Sequence, residues 1–308
     1  MRLVEFVKGK TGPKGEPLSD RTARYAVDVL FRMIGSKMKA KIMEDDTLEL
    51  PSASSVRSRR LSADELAEVL TEIFRTTHAS EKRVKGELVR EARTYYVYRN
   101  RYLIAFLINT GLRINEALGL TLDRIDLTPG RERVIIDRQL KWKFDADGHR
   151  IGWHLSDLKT DKSQRTLPLN ADAIMAIKGM TAMIEEDARL AQSAYQANGL
   201  LFASEHGTPT DNRGVFRTLQ LATKAINKRR QMIDGDATKE LQACGLHDLR
   251  RSYLTQMAMI EPRMAVVAYL AGHVSPATTA KHYVFAEADN AIESVAKVGF
   301  RARVADPA

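Results

Sequence analysis

Hydrophobic spacing predicts a mainly helical chain with one short β region in its middle. The stretch "LSDRTARYAVDVLFRMIG" repeats apolar residues every three or four positions from Ala23 to Ile34, which is typical of an amphipathic helix. Further on, "ERVIID" is rich in β-branched residues, and "IGWHLSDLKTDKSQRTLPL" predicts two more strands around a polar turn at Lys159–Ser163. Helical spacing then returns at 171–192, at 214–230, from His247 and from Ala286. The expected fold class is mainly α with a small three-stranded β-sheet.

A break in composition divides the chain into two domains. The stretch "PSASSVRSRR" at Pro51–Arg60 is rich in Ser and Pro and predicts a linker. Immediately after it, "LSADELAEVLTEIF" has Ser62 and Glu65 at the spacing of a capping box, which predicts a new helix. We therefore expect an N-terminal helical domain at 1–55, a linker at 56–60 and a second domain at 61–308.

The charge of the chain favours a polyanionic partner. The net charge is +9 and the pI is near 9.6, which suits nucleic acid, although an ordinary basic protein would show the same balance. More than half of that net charge lies within the first 60 residues. We therefore expect DNA contacts from the arginines in this part of the chain, namely Arg21, Arg24, Arg32, Arg57, Arg59 and Arg60.

Other features narrow the class of protein. A single cysteine, Cys244, excludes an internal disulfide and a multi-cysteine zinc site. The chain has no run of 18 apolar residues, and its start, "MRLVEFVKGK", lacks the apolar core of a secretory signal. We expect a cytoplasmic, nucleoid-associated protein without a membrane segment. No group of Asp, Glu, His or Cys has metal-ligand spacing, so we expect no metal and no cofactor.

Four motifs carry residues that are suited to phosphate chemistry. They are "TGLRINEALGL" with Arg113, "LKTDKSQRTLPL" with Lys159 and Lys162, "HDLRRSYLTQM" with His247 and Arg250 on one helix face, and "LAGHVSPATTAKHY" with His273 and Tyr283. Singly, each has an ordinary explanation as a surface charge, a solvated loop or a core tyrosine. Together, they supply what transesterification of a phosphodiester needs without a metal.

The chemistry explains why these residue types belong together. Two guanidinium groups can bind both non-bridging oxygens of a phosphate and stabilise the charge that develops in the transition state. A tyrosine hydroxyl, with a pKa of about 10, needs a base or a positive field before it acts as a nucleophile. A lysine can protonate the leaving 5′ oxygen.

The four motifs, in this order, resemble those of the tyrosine recombinases, in the phage and transposon integrase branch. The resemblance covers nearly all of Leu61–Arg303 and, more loosely, Leu18–Pro51. It implies a tyrosine recombinase catalytic domain preceded by a partial helical core-binding domain. It also implies that the protein cuts and rejoins double-stranded DNA at specific sites through a covalent 3′-phosphotyrosine, and that it assembles on DNA as a tetramer.

The resemblance assigns a role to each matching residue. Arg113 and Arg250 hold the scissile phosphate, and Tyr283 is the nucleophile. His247 is the base or a phosphate contact, His273 donates a hydrogen bond to the phosphate, and Glu116 supports the site without reacting. Spacing does not choose the general acid between the two hairpin lysines. We favour Lys159, which directly follows the predicted strand, and expect Lys162 to contact DNA.

Two departures from the family pattern leave alternatives open. Ten positions separate His273 from Tyr283, where many relatives have nine, and the DNA-gripping domain before the catalytic domain is shorter than usual. The alternatives are a type IB-like topoisomerase, which uses the same chemistry, and an integrase relative that only binds DNA.

Overall fold

A computed structural model describes residues 20–43, 60–79, 82–84, 87–90, 93–158, 163–234, 240–261 and 263–272. It divides into two compact units, Met1–Ser58 and Arg59–Ala308. Several of the predicted positions lie outside the described residues: Arg57, Arg59, Lys159, Lys162, His273, Tyr283 and the helix from Ala286.

The first unit contains one long helical stretch, α1 (Asp20–Met43), which confirms the helix predicted there. Ala23, Val27 and Phe31, spaced four apart, are buried, as the apolar stripe in the sequence predicts, whereas Ala26 of the same stripe is exposed. At Gly35 the backbone leaves the helical region, with φ 78° and ψ 167°, so α1 is two helical segments joined at a kink.

The second unit is mainly helical. Its helices are α2 (Ala63–Ile73), α3 (Arg101–Thr110), α4 (Ile114–Leu118), α5 (Ala171–Ala191), α6 (Asn212–Asp234), α7 (Leu246–Ile260) and α8 (Met264–Ala271). Short 3₁₀ turns lie at Leu122–Arg124 and Gln192–Ala194. The mainly α class with small antiparallel sheets is therefore confirmed.

Within the described residues, the strands form four small antiparallel sheets. They are β1 (Thr76–Ala79), β2 (Lys82–Val84), β3 (Glu87–Arg90), β4 (Arg93–Tyr96), β5 (Ile125–Asp126), β6 (Arg133–Ile136), β7 (Arg138–Phe144), β8 (Arg150–Asp157) and β9 (Arg165–Pro168). The strand order is β5–β6–β9 in the three-stranded sheet, and the pairs β7–β8, β1–β4 and β2–β3 stand alone.

The pairing corrects two details of the sequence prediction. We expected the second and third strands of the sheet to be β8 and β9, but β6 pairs with β9 and with the short β5, whereas β8 pairs with β7. The expectation of a single β region was also wrong, because β1 to β4 form a second one at 76–96. Those strands have three or four residues and many charges, so neither length nor alternation revealed them.

Helix α3 lies at the centre of the core. Its segment "RYLIAFLINT" buries residues on every side, including Leu103, Ile104, Phe106 and Leu107, so it is surrounded by protein rather than amphipathic. It packs mainly against α5 and α7. Burying one such large apolar side chain stabilises the fold by about 1.5–3 kcal/mol. Among the described helices, none has the length together with the apolar character needed to span a bilayer.

The start of the second unit is fixed to the helix that carries His247. The predicted capping box is present, with Glu65 N donating to Ser62 Oγ at 3.1 Å and Ser62 N donating to Glu65 Oε2 at 2.8 Å. One residue earlier, Leu61 N donates to Ser252 Oγ on α7 at 2.8 Å. A buried hydrogen bond therefore connects the segment just before α2 with α7.

Helix α4 and strand β7 approach each other closely at Gly119. A Cβ at this position would lie 2.8 Å from backbone atoms of Gln139 and Leu140, which have no flexible end to move aside. We expect Gly119→Ala to lower the free energy of unfolding by about 1–3 kcal/mol, the usual cost of overpacking. Urea denaturation of the full chain measures this.

Gly152 in β8 is the matched control, because a Cβ there would meet no atom within 4 Å. We expect Gly152→Ala to be neutral or slightly stabilising. Equal losses in the two variants would mean that the contact between α4 and β7 is not the cause.

Candidate active site

Three of the predicted catalytic residues, Arg113, His247 and Arg250, line one pocket of about 240 Å³. They come from two separate parts of the chain, the turn between α3 and α4 and the first turn of α7. The remaining lining residues are Leu112, Ile114, Asn115, Gln139 and Leu246. The pocket therefore gathers two positive charges and one imidazole at a single place.

The turn after α3 sets the direction of Arg113. Gly111 ends α3 in the left-handed region, with φ 62°, and a Cβ there would lie 2.3 Å from the ring of Tyr253. Arg113 follows in extended conformation as the N-cap of α4. Its side chain is 42% exposed, so its guanidinium remains accessible to a ligand in the pocket.

Glu116 orients Arg113 by accepting hydrogen bonds from its side chain and its backbone. Arg113 Nη1 donates to Glu116 Oε1 at 2.8 Å, and Arg113 N donates to Oε2 at 3.1 Å. Arg165 Nη2 donates to Glu116 Oε2 at 2.9 Å, and both side chains of that pair are buried. Burial would raise the pKa of Glu116, but the charges of Arg165, Arg250 and Arg113 together with the Arg165 hydrogen bond lower it to about 2.

His247 lies at the exposed rim of the pocket, in the first turn of α7. The helix begins with Gly245 N donating to Asp248 Oδ2 at 2.7 Å. Partial burial of the imidazole, followed by the positive charges of Arg250 and Arg251, lowers the pKa of His247. The ring is therefore neutral at neutral pH and can accept a proton.

Arg250 is almost completely buried, with 1% of its surface exposed. Its Nη1 donates to Gly111 O at 2.7 Å, and its Nη2 donates to Ala271 O at 2.5 Å. From the sequence, Arg250 was expected only as a phosphate ligand. In the structure, the Arg250 guanidinium also connects the carboxyl ends of α3 and α8 through these two hydrogen bonds.

Two residues of this region, Gln139 and Arg165, were not predicted from the sequence. Arg165 occupies a buried position of β9, where burial alternates and Leu167 is the next buried residue. An arginine at an inward position of a strand was the available signal, since such residues are buried only when paired. Gln139 is the second residue of β7, and nothing in the local sequence marked it as part of a site.

The predicted DNA-contacting arginines belong to other regions. Arg21, Arg24 and Arg32 lie in α1, where Arg24 forms an ion pair with Asp28 at 3.4 Å and Arg32 Nε donates to Asp28 O at 3.4 Å. Arg60 is half-buried at the start of the second unit. Their proposed contact with DNA stays a prediction.

In the described part of the chain, one group of possible metal ligands lies in the turn between β7 and β8. Asp145, Asp147 and His149 are all exposed, and their ligand atoms lie within 4.8 Å of one another. Asp145 Oδ1 already accepts the backbone N–H groups of Asp147 and His149 at 3.0 Å and 2.7 Å. The group is therefore accounted for by the hydrogen bonds of the turn.

The low pKa of Glu116 makes stability depend on pH. A carboxyl whose folded pKa is about 2, below its ordinary value of 4.5, stabilises the fold above pH 4.5, and that contribution disappears as the pH falls toward 2. It amounts to about 3 kcal/mol. We expect Glu116→Gln to be less stable than the parent at neutral pH and the difference to shrink steadily below pH 4.5. Denaturant unfolding at several pH values measures it.

Glu185, exposed on α5, provides the control for loss of one surface carboxylate. Glu185→Gln is expected to follow the parent at every pH. Parallel curves for the parent and Glu116→Gln would contradict the assigned ion pairs.

Comparison with known proteins places these features in a family. The model of the phage integrase family matches residues 81–289. The transposase from transposon Tn916 of Enterococcus faecalis is 28% identical over 198 residues, which are 63% of this chain and 44% of that protein. Tyrosine recombinase XerD of Halalkalibacterium halodurans is 24% identical over 189 residues, 61% of this chain and 50% of that protein. The chain thus spans about half the length of these relatives.

A solved structure shares the fold. The Tn1549 transposon integrase, determined in complex with circular intermediate DNA, superposes with a TM-score of 0.61 at 17% identity, over 96% of this chain and 91% of that one. The family model alone covers more than half of the chain. This protein therefore belongs to the phage integrase family, and the resemblance to tyrosine recombinases that its motifs suggested is confirmed.

Proposed function

We propose that this protein is a site-specific DNA recombinase that cuts and rejoins double-stranded DNA through a covalent 3′-phosphotyrosine. The observation that carries the proposal is the convergence of Arg113, His247 and Arg250 on one pocket, with a buried carboxylate orienting Arg113. The relatives named as a transposase and a tyrosine recombinase, and the integrase with the same fold, support it.

The pocket is suited to a scissile phosphate. Arg113 offers an exposed guanidinium that is already oriented by Glu116, so it can bind a non-bridging oxygen with little reorganisation. Arg250, fixed by two carbonyls at the pocket wall, adds positive charge that water screens little. These two arginines supply the stabilisation that a metal ion provides in other phosphoryl-transfer enzymes.

The reaction exchanges one phosphodiester for another. The phenolic oxygen of Tyr283 attacks phosphorus, and its proton passes to neutral His247 acting as the base. The bond from phosphorus to the 5′ oxygen breaks, and Lys159 gives a proton to that oxygen. His273 donates a hydrogen bond to the phosphate. Since the phosphotyrosine retains the energy of the broken bond, a 5′ hydroxyl can reverse the step and rejoin the DNA without ATP.

The partners follow from this reaction. Double-stranded DNA is the substrate. Recombination between two sites requires several copies of the protein on the DNA, and we propose that they assemble as a tetramer. Such a protein would work at the nucleoid. Lys162 and the arginines between positions 21 and 60 would contact the DNA backbone around the site.

The β7–β8 hairpin suggests where the DNA continues beyond the pocket. Gln139 lines the pocket, and side chains two apart on a strand share a face, so Lys141 and Lys143 extend the same face outward. Both lysines are exposed, and His154 lies opposite Lys141 on β8. Successive lysines on this face are about 6.6 Å apart, which suits contacts to neighbouring phosphates of one strand.

The other face of the hairpin holds it in place. Leu140 is buried, and Trp142, paired across the strands with Trp153, packs against the core. Arg150 stacks over the Trp142 ring at 3.7 Å and forms an ion pair with Asp211 at 3.2 Å. A hairpin anchored on one face can present a fixed row of positive charges on the other.

Removal of the nucleophile tests the proposed function. A nicked suicide substrate traps a covalent adduct, because the short cleaved strand diffuses away and cannot rejoin. We expect the parent protein to form the adduct, also in EDTA, and Tyr283→Phe to form none while it still binds DNA in a gel-shift assay. Tyr253→Phe, which changes a half-buried tyrosine on α7, is the matched control and should retain the adduct.

The other outcomes separate the alternatives. An adduct that survives in Tyr283→Phe would refute the assigned nucleophile. Relaxation of supercoiled DNA without site preference would indicate a type IB-like topoisomerase. DNA binding without any adduct from the parent protein would indicate a relative that only binds.

The hairpin lysines generate a second prediction. Each lysine that neutralises one phosphate adds about 0.9 to the slope of log affinity against log salt. We expect the double variant Lys141→Ala and Lys143→Ala to bind DNA more weakly at low salt and to lower that slope by about 2. Fluorescence anisotropy at several salt concentrations measures it.

Lys178, exposed on α5, is the control for loss of surface charge. Lys178→Ala is expected to leave the slope unchanged. A double hairpin variant with the slope of the parent would show that the DNA takes another path.

A further inference from the structure

Arg165 connects three segments of the site through one buried guanidinium. Its Nη2 donates to Glu116 Oε2 at 2.9 Å, its Nε donates to Leu270 O at 3.0 Å, and its Nη1 donates to Ser163 O at 3.1 Å. The side chain is 1% exposed. The acceptors belong to the Arg113 motif, to the end of α8 and to the residue after the loop that carries both candidate lysines.

The carboxyl end of α8 is bound by two arginines at consecutive carbonyl groups. Arg165 binds Leu270 O, and Arg250 binds Ala271 O. Carbonyl groups at the end of a helix lack partners within the helix and carry the negative end of its dipole, so guanidinium donors stabilise them. The next residue, Gly272, ends α8 in the left-handed region, with φ 61°.

Two further contacts make this arrangement specific. A Cβ at Gly272 would lie 2.6 Å from Arg165 Nη1, so the chain passes directly over the guanidinium. Tyr269 on α8 also pairs with β9, since Thr166 N donates to the Tyr269 hydroxyl at 3.0 Å and that hydroxyl donates to Thr166 O at 3.2 Å. Strand β9 and the end of α8 are therefore held together on both sides of Arg165.

We propose that Arg165 is a positioning residue, which sets the placement of the Arg113–Glu116 pair relative to the end of α8, where the chain continues to His273. The proposal rests on the proposed function for its catalytic consequence, since the segments that it joins carry the predicted phosphate ligands and the nucleophile. Arg165 does not line the pocket and acts through Glu116 and through backbone carbonyls.

The planar guanidinium explains why arginine is required. Its N–H groups point in fixed directions within one plane and reach acceptors from three segments at once, whereas a lysine ammonium is a single point charge. Arg165→Lys therefore keeps the positive charge beside Glu116 but loses the simultaneous hydrogen bonds to the three segments. Arg165→Met loses both.

The first test measures cleavage of a suicide substrate by the full chain at a temperature where circular dichroism shows each variant to be folded. We expect Arg165→Lys to cleave about 10²-fold more slowly than the parent, because a small misplacement of a catalytic group costs that much. DNA affinity should stay near that of the parent. Arg165→Met should be slower still.

Arg101→Lys is the matched control. Arg101 is also a buried arginine whose Nη1 donates to a backbone carbonyl, Tyr98 O at 3.1 Å, and it stacks on the rings of Tyr96 and Tyr102 away from the pocket. It should cleave at the rate of the parent. Equal rate losses in Arg101→Lys and Arg165→Lys, or none in Arg165→Lys, would overturn the proposal.

A neutral methylphosphonate at the scissile position distinguishes positioning from a purely structural role. With one negative oxygen removed, cleavage depends less on an accurately placed Arg113, so the rate ratio between the parent and Arg165→Lys should narrow. A ratio that is unchanged from the normal phosphate would contradict action through Arg113.

Hydrogen exchange provides a readout that needs no cleavage. We expect Arg165→Lys to accelerate amide exchange both at 113–116 and at 270–272, and Arg101→Lys to leave both segments unchanged. Unchanged exchange in Arg165→Lys overturns the proposal whatever the protein does to DNA. If the parent protein forms no adduct but Arg165→Lys still exchanges its amides faster, the proposed function is refuted. The structural connection through Arg165 is then still supported.

Discussion

The candidate site depends on the buried carboxylate of Glu116. An ionised carboxylate inside a protein is costly unless it is paired, and this one has Arg113 on one side and Arg165 on the other. The pairs hold the pKa of Glu116 at about 2, so the group stays charged at any ordinary pH. Because the buried negative charge must be paired with both arginines, the turn after α3 is fixed relative to β9. These two segments are about fifty positions apart in the sequence.

The arginines around this carboxylate have different roles: two are buried and structural, and one is accessible to a ligand. Arg250 and Arg165 are buried and donate to backbone carbonyls at helix ends, so their positions are set by the fold. Arg113 is fixed at one side by Glu116 but is 42% exposed, which leaves it open to a ligand. The proposed phosphate site thus combines immobile positive charges in the wall with one accessible guanidinium. Partial burial, and after it the nearby arginine charges, lower the pKa of His247 at the rim.

The β7–β8 hairpin connects this pocket with the surface. Gly119 lets α4 approach the backbone of β7, so Gln139 reaches the pocket. Beyond it, the alternation of a strand places the apolar residues Leu140 and Trp142 against the core and the lysines on the solvent side. The same packing that stabilises the hairpin therefore orients the surface that we propose follows the DNA.

The sequence by itself determined the family, the helical class and three of the residues that line the pocket, namely Arg113, His247 and Arg250. Helical periodicity placed His247 and Arg250 on one face, and Gly111 marked the turn that presents Arg113, because these relations depend on neighbours a few positions away. Only the tertiary structure decided the partners of β6 and β8, the burial of Arg165, and the carbonyl groups that hold Arg250. The β6–β9 pairing and the long-range contacts of Arg165 and Arg250 join residues that are about twenty to more than a hundred positions apart. Local spacing does not indicate which distant backbone atoms meet a given side chain when the core packs. The β7–β8 pairing is local, but its strands were not both recognised from the sequence.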